Sequence, residues 1–412
     1  MLSVSPAEDL ITSDVLFALQ FCTGDEPLLP RLETFGCTHP TRDLTPFIPL
    51  FLSPKTTDIR ISFIPDFPAV LVALTITRFP RHCPRIKSLI LESPPRDSAT
   101  TEAVSEMLLA CNRDTLQGFS VTCPLTEEAR RFLYTLPNLR RLWTVVQGQT
   151  SLPPLALPNL DVIYIEWDSG RDWLRGFHGA TIGKLKTVIF HLMPRSTQID
   201  GFLEEFQSLA LSASLQNTLS SFEFRTLQSW SPNYSSLLVF KQMQVLEIQF
   251  SCHNGCSSTV DDDIVINLAR AMPGLTILRL GGAPCGTLTG VTLGGLVALA
   301  LRCLQLSKLC VHFQANKLAE ATSRTKPPSL SKPIPGVPQT NCALTDLQVG
   351  EIPISKQETL AVGLTLLQIF PKIVDIEYID PQWESVLETI KLFKRIGGHI
   401  HHASKRHLLP LR

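Results

Sequence analysis

The sequence predicts an α/β solenoid in which each unit contributes one short parallel β-strand and one helix. Two observations predict it. An apolar-x-x-apolar-x-apolar pattern recurs along most of the 412 residues. The stretches between its copies carry apolar residues at the helical period. Because all connections between successive strands are alike, the strands should form one parallel sheet with the helices on its other side.

The pattern is clearest in residues 83–91, 136–142, 157–165 and 272–280. Its first apolar residue is taken here as an anchor, with Thr56 as the poorest match. The thirteen anchors are Leu32, Thr56, Ile86, Leu116, Leu139, Leu160, Leu185, Leu219, Met243, Leu275, Leu306, Leu344 and Ile373. Single steps vary, but their mean is about 28 residues, inside the range of leucine-rich repeats. We therefore expect a leucine-rich-repeat horseshoe with parallel strands on the concave face and helices on the convex face.

The regions between anchors carry helix signals. Val104, Met107, Leu108 and Cys111 share one helical face. Residues 202–209 repeat that apolar period behind an acidic first turn. The acidic run 261–263 suits a helix N-terminus, where carboxylates complement the helix dipole. Ser355 and Glu358 form a capping box, which predicts a helix with Leu360, Leu364 and Leu367 on its apolar face.

Both ends of the chain are expected to be caps, which a solenoid needs to cover its last open layers. Residues 1–28 are predicted to be an N-terminal helical cap, in which Ser5 and Pro6 begin a helix that runs to about Cys22. Residues 29–379 are the predicted solenoid. Residues 380–412 are predicted to be a capping helix, which begins at Asp380-Pro381, followed by a basic, His-rich tail.

The longest step between anchors contains a Pro-rich insertion at about residues 317–340. Five of residues 326–338 are prolines, so a helix is excluded there. The insertion is interpreted as either a tolerated loop or a Pro-rich docking segment.

Composition excludes several functional classes. A formal net charge of zero and a pI of about 7.1 give no electrostatic signature of nucleic-acid or anionic-membrane binding. No apolar run approaches the ~20 residues that a membrane-spanning helix needs, and no export signal is visible. Eleven scattered cysteines do not resemble a disulfide framework. We therefore expect a cytoplasmic or nuclear protein.

No motif for catalysis, cofactor binding or metal binding stands out. The Gly-rich residues 281–286 lack the spacing of a phosphate-binding loop. Cys252 and Cys256 lack the second ligand pair that zinc needs. The C-terminal histidines are interpreted as a solvated tail. We expect no enzyme activity, no cofactor and no bound metal.

The binding face is predicted from side-chain alternation along each strand. If the anchors point inward, the second, fourth and sixth residues after each anchor should be exposed on the concave face. This places Trp143 beside Tyr164 and Val145 beside Glu166, and the aromatic pair is the best candidate for an interface centre. The candidate protein-binding residues are Arg141, Trp143, Tyr164, Glu166, Glu223, Arg225, Glu247 and Arg279. The alternative is that the aromatics fill a tightly curved inner face or meet a neighbouring loop. Charges of both signs favour a protein partner over nucleic acid.

With the repeats placed, the chain resembles the fungal F-box proteins that carry a ribonuclease-inhibitor-like leucine-rich-repeat body. The resemblance covers roughly residues 29–390 and rests on residues 136–142, 172–180, 230–238 and 256–263. In that family the repeats are taken to present substrates to a cullin-type ubiquitin ligase, while an N-terminal F-box docks the adaptor. An F-box usually opens with Leu-Pro and ends near a Trp. Residues 1–28 are shorter and contain neither, so we expect no adaptor-docking F-box here.

Two functions are therefore considered. The first is a substrate-recognition body of the F-box type, with ubiquitin-ligase subunits as partners if an F-box exists upstream. The second is a stand-alone leucine-rich-repeat regulator or inhibitor with no ubiquitin role.

Overall fold

The computed structural model is an α/β fold that divides into two units. The first comprises Met1–Gln198 and Ser208–Thr218, and the second Ile199–Gln207 and Leu219–Arg412. The structure describes residues 2–4, 13–24, 26–64, 66–146, 155–167, 180, 182–193, 199, 201–212, 215–227, 230, 232–250, 260–281, 290–315, 338–350 and 352–406.

The first unit contains eight strands, each of which pairs in parallel with the next one along the chain. They are β1 (Leu2–Val4), β2 (Thr34–Thr38), β3 (Asp58–Ser62), β4 (Ser88–Glu92), β5 (Gly118–Pro124), β6 (Arg141–Val146), β7 (Val162–Trp167) and β8 (Thr187–Leu192).

The second unit repeats this arrangement with six strands, again parallel and in chain order. They are β9 (Ser221–Thr226), β10 (Val245–Phe250), β11 (Ile277–Leu280), β12 (Lys308–Val311), β13 (Asp346–Gly350) and β14 (Asp375–Tyr378).

The anchors locate the strands. Each strand from β2 to β14 begins two residues after one of the thirteen anchors. The predicted parallel strands are therefore confirmed, whereas β1 was not predicted, because its three residues precede any anchor. Twelve anchors are buried, and Leu32 is half-buried.

A recurring pair of hydrogen bonds fixes the register at the start of the strands. The amides of Lys87 and Ser88 both donate to the carbonyl of Thr57, at 2.7 and 3.0 Å. The carbonyl of Lys87 in turn accepts from Gln117 and Gly118 at 2.7 and 2.9 Å. This arrangement occurs six times in the first unit and five times in the second. Since each carbonyl has two lone pairs, one acceptor satisfies two amides of the next layer.

The poorest anchor, Thr56, shows how a polar residue fits this buried slot. Its side-chain hydroxyl donates to the carbonyl of Leu32 at 2.8 Å and accepts from the amide of Ser53 at 3.1 Å. Because the hydroxyl is fully hydrogen-bonded, its burial carries little penalty.

Helices fill the connections between the strands of the first unit. They are α1 (Ser13–Thr23), α2 (Ile48–Phe51), α3 (Ala69–Ile76), α4 (Phe79–His82), α5 (Ser98–Ala110) and α6 (Glu127–Leu133). The predicted face of α5 is confirmed, because Val104, Met107, Leu108 and Cys111 are buried. Asp97 caps this helix by accepting from the amide of Thr100 at 2.8 Å.

Helix α7 (Phe202–Ser212) has residues in both units, and its predicted apolar residues are buried. The remaining helices belong to the second unit. They are α8 (Asp262–Ala271), α9 (Leu293–Arg302), α10 (Thr359–Ile369) and α11 (Gln382–Arg406). The predicted C-terminal helix is confirmed, and its Trp383 is buried with the indole N–H donating to the carbonyl of Ile352 at 2.8 Å.

The predicted apolar face of α10 is wrong. Leu360 is 53% exposed, Leu364 and Leu367 are half-buried, and the buried apolar side chains are Val362, Leu366 and Ile369. The helix begins at Thr359 rather than directly after Ser355. Glu358 nevertheless accepts from the amide of Ser355 at 3.0 Å, as a capping box requires. In a helix this rich in apolar residues, several faces fit the helical period, and packing selects one.

The acidic run at the start of α8 caps two successive helices. Asp261 accepts from the amide of Ile264 at 2.9 Å and so caps α8. Asp262 instead accepts from the amides of Thr292 and Gly295, at 2.7 and 3.1 Å, where α9 begins. A Cβ at position 295 would lie 2.6 Å from the Asp262 carboxylate, so glycine is required for this contact.

We expect Asp262→Ala to lower the free energy of unfolding by about 1–3 kcal/mol, because two helix amides lose their acceptor. The matched control is Asp263→Ala, since Asp263 is exposed on the same turn and should change stability by no more than about 0.5 kcal/mol. Urea denaturation of both variants measures the difference. Equal effects would contradict the proposed bridging role of Asp262.

Candidate functional site

An apolar and aromatic row crosses five strands of the first unit, on the side of the sheet opposite the anchors. We call it the aromatic face. Its residues occupy one position on successive strands β4–β8 and are all half-buried. They are Ile90, Ser120, Trp143, Tyr164 and Ile189. The register confirms that Trp143 lies beside Tyr164, as the sequence predicts. The two ring centroids are 4.1 Å apart and the planes are tilted by 36°.

A polar network borders the aromatic face. The Tyr164 hydroxyl is 3.2 Å from Nδ1 of His191, which pairs in register with Glu166. A guanidinium nitrogen of Arg96 donates to Oε1 of Glu166 at 2.7 Å. Arg96 lies in the connection that follows β4, so its side chain reaches past two intervening strands.

This network corrects one prediction. Glu166 was expected to be exposed, yet it is only 6% exposed, and its register neighbour Val145 is 2% exposed. Alternation correctly places both side chains on the face opposite the anchors, but it does not account for Arg96. That residue could not have been found from the repeat, because it belongs to a connection rather than a strand. His191 could have been found, because it lies six residues after the anchor Leu185.

Two groups on this face can donate further hydrogen bonds. Arg141 is exposed, and it makes no ion pair with any part of the chain that the structure describes. The indole N–H of Trp143 is covered but has no acceptor among the described residues. A buried donor left without an acceptor costs about 1–3 kcal/mol. Both groups can only donate hydrogen bonds.

A charged row crosses the second unit at the equivalent strand position. We define it as Glu223, Glu247, Arg279, Cys310, Gln348 and Glu377, which are neighbours in register. Arg225 forms an ion pair with Glu223, and the Arg279 guanidinium lies 3.3 Å from Glu247. Burial raises the pKa of Glu223, although adjacent Arg225 lowers it and Glu247 raises it further.

The charged row also corrects a prediction. Glu247 was expected to be exposed but is only 8% exposed, because it lies between Glu223 and Arg279 and is covered by its own ion pair. The carboxylates of Glu223 and Glu247 are thus already paired within the chain. Arg225 is exposed and Arg279 is half-buried.

Sequence reasoning omitted the end of this row. Strands β11–β14 line a small depression of about 80 Å³. Its charged lining residues are Arg279, Lys308, Asp346, Asp375 and Glu377. The rule that selected Glu223 and Glu247 would have found these positions if it had been applied to Leu306, Leu344 and Ile373.

The thiols of the described residues are free, and most are buried. Burial raises the pKa of Cys83, Cys111, Cys123 and Cys303 to about 12, and that of Cys37 and Cys310 to about 11. These thiols stay protonated at neutral pH and are poor nucleophiles. Within the described ranges, no three His, Cys, Asp or Glu side chains lie close enough to hold a metal ion. None of the helices described has the length and hydropathy needed to cross a bilayer.

Several sequence predictions fall wholly or largely outside the described residues. These are the helix start at Ser5-Pro6, the cysteine pair Cys252 and Cys256, the glycine-rich stretch after Gly281, most of the Pro-rich insertion, and the tail beyond Arg406. They remain predictions.

No family model matches the chain, and no curated protein matches its sequence.

We expect Arg96→Met to lower the free energy of unfolding by about 1–3 kcal/mol, because it leaves Glu166 buried without its partner. Arg60→Met is the control, since it breaks the exposed Arg60–Glu92 pair of the same unit and should cost at most about 1 kcal/mol. Urea denaturation distinguishes the two variants. A loss for Arg96→Met no larger than that for Arg60→Met would show that Glu166 does not depend on Arg96.

Proposed function

We propose that this chain is a protein-binding leucine-rich-repeat scaffold that holds its partner on the aromatic face. The single observation that carries the proposal is the half-buried Trp143–Tyr164 pair on the strand face of the first unit. Trp, Tyr and Arg are the residues that most often dominate the binding energy of protein interfaces, and Arg141 lies two residues before Trp143 on the same strand. In this proposal the strands line the concave face of a horseshoe and the helices its convex face.

Two further observations support a protein as the partner. The chain has no net charge, whereas nucleic-acid binding relies on clustered cations that neutralise phosphates. The carboxylates beside the aromatic face are already paired, since Glu92 binds Arg60 and Glu166 binds Arg96. The surface is therefore apolar at its centre with few uncompensated charges, as is typical of protein interfaces.

We further propose that the repeats form a substrate-recognition body of the F-box type for a cullin ubiquitin ligase. Its support is the resemblance described above. Residues 136–142, one of the segments that carry this resemblance, form the turn before β6 and the first residues of that strand. The free thiols support a reducing compartment, the cytoplasm or nucleus. In this proposal the chain binds without catalysing a reaction and requires no cofactor.

The test is affinity capture with the full-length chain, compared with its Trp143→Ala/Tyr164→Ala double variant. We expect the double variant to lose at least nine-tenths of specific capture, because two central aromatics typically contribute ~2 kcal/mol or more each. It should lose only about 1–3 kcal/mol of folding stability, since the rings are half-buried. Quantitative mass spectrometry measures capture, and urea denaturation measures stability.

Phe17→Ala/Phe21→Ala is the matched control, because it removes two exposed aromatics of α1 from the same unit. Capture should survive in this control. Undiminished capture by the Trp143/Tyr164 variant would overturn the proposed site. Recovery of cullin and adaptor subunits with the wild-type chain would support the ubiquitin role. Their absence from the proteins captured by the product of the whole gene, including any upstream F-box, would favour a stand-alone regulator.

A further inference from the structure

We infer that the aromatic face binds an extended peptide segment bearing a carboxylate, an inference that rests on the proposed function and specifies its partner. The geometry limits the length of the segment. The face crosses four intervals between neighbouring strands, or about 19 Å at the usual spacing. An extended chain covers that distance with about six residues.

Three small residues, Ser88, Gly118 and Ser120, lie on the strands beside Arg141 and Trp143. Ser120 is the register neighbour of Trp143, and Gly118 is the neighbour of Arg141. Ser88 lies beside Gly118 on the next strand, where a Cβ added to Gly118 would come within 3.2 Å of the Ser88 hydroxyl oxygen. We infer that the proposed segment crosses the strands here, where side chains are short, beside the Trp143 ring and the Arg141 side chain. The proposed occupant places an apolar side chain there.

The polar groups beside these small residues determine the chemistry of the occupant. The two available groups, the Arg141 guanidinium and the Trp143 N–H, are both donors. The nearby acids Glu92 and Glu166 are occupied by Arg60 and Arg96. A partner group that accepts hydrogen bonds and carries negative charge complements this surface, whereas a cationic segment has no free carboxylate to meet among these residues.

The unsatisfied indole N–H also favours an extended segment over a helix. In a helix the backbone carbonyls are occupied by internal hydrogen bonds, except in the last turn. An extended segment leaves its carbonyls free along its length. A carbonyl inserted beside the Trp143 ring would remove the cost of the buried, unpaired donor.

The test is a selection of random twelve-residue peptides, displayed on phage, against the purified full-length chain. We expect the enriched peptides to share an Asp or Glu next to apolar residues. Fluorescence anisotropy with an enriched peptide then measures affinity. Arg141→Glu should weaken binding about tenfold or more, because a charge-assisted bond is replaced by repulsion. The matched control is Arg140→Glu, an equal charge change at the exposed neighbouring residue, which should change affinity less than about twofold.

A charge exchange makes the assignment specific. Replacing the acid of the peptide with Lys should abolish binding to the wild-type chain and restore part of it to Arg141→Glu. Trp143→Phe should weaken peptide binding at least about threefold, since it keeps the ring but removes the N–H. The same substitution removes the unpaired donor, which offsets part of the lost ring packing. The free energy of unfolding should therefore fall less for Trp143→Phe than for Trp143→Ala.

Three outcomes would overturn the inference: enriched peptides that are basic, peptides that bind as helices by circular dichroism, or no peptide sensitive to Trp143→Ala. The proposed function fails separately, if the Trp143/Tyr164 double variant still captures its protein partners. Loss of capture in that variant, together with peptides insensitive to Arg141→Glu, would retain the binding face and reject only the carboxylate.

Discussion

The architecture depends on one repeated hydrogen-bond arrangement. After eleven of the thirteen anchors, two consecutive amides of one layer donate to a single carbonyl of the preceding layer, as Arg140 and Arg141 do to Gln117. This sets the strand register independently of the length of the segment that follows. The steps between anchors can therefore vary widely while strands continue to pair in parallel within each unit. Because the turn at each anchor determines how its strand pairs with the preceding one, the connection that follows can contain a helix, a short 3-10 turn or a longer loop.

The same constraint creates the candidate site. The fixed register aligns side chains into rows across neighbouring strands. Residues from different repeats therefore contact one another and form surfaces that no single repeat could form. Trp143 and Tyr164 come from different repeats, and so do Glu247 and Arg279, yet each pair is in contact. In the second unit two carboxylates of the row are paired, Glu223 with Arg225 and Glu247 with Arg279. In the first unit the row is aromatic and apolar, and beside it lie the exposed Arg141, which has no ion pair among the described residues, and an indole N–H with no acceptor among them.

The sequence predicted those parts of the fold that short-range patterns encode. Every anchor, including polar Thr56, precedes a strand by two residues, because burial at one position and alternation after it determine the strand. The Trp143–Tyr164 contact followed from the same rule. Contacts made by connections were not predictable. The burial of Glu166 depends on Arg96, 70 positions away in the chain, and the buried face of α10 depends on packing among several apolar options. Strand β1 has no anchor before it, so no sequence pattern predicted this strand.

Amide hydrogen exchange of the full-length chain, resolved by residue, tests the role of the anchors most directly. The amides that follow anchors, such as Asp58 after Thr56 and Ser88 after Ile86, should exchange slowly, because they are bonded to the preceding layer. Slow exchange should recur after the eleven anchors between Thr56 and Ile373 that make this contact, at the uneven spacing of those anchors. Rapid exchange after several anchors, or protection that does not follow their spacing, would contradict a fold built on this contact.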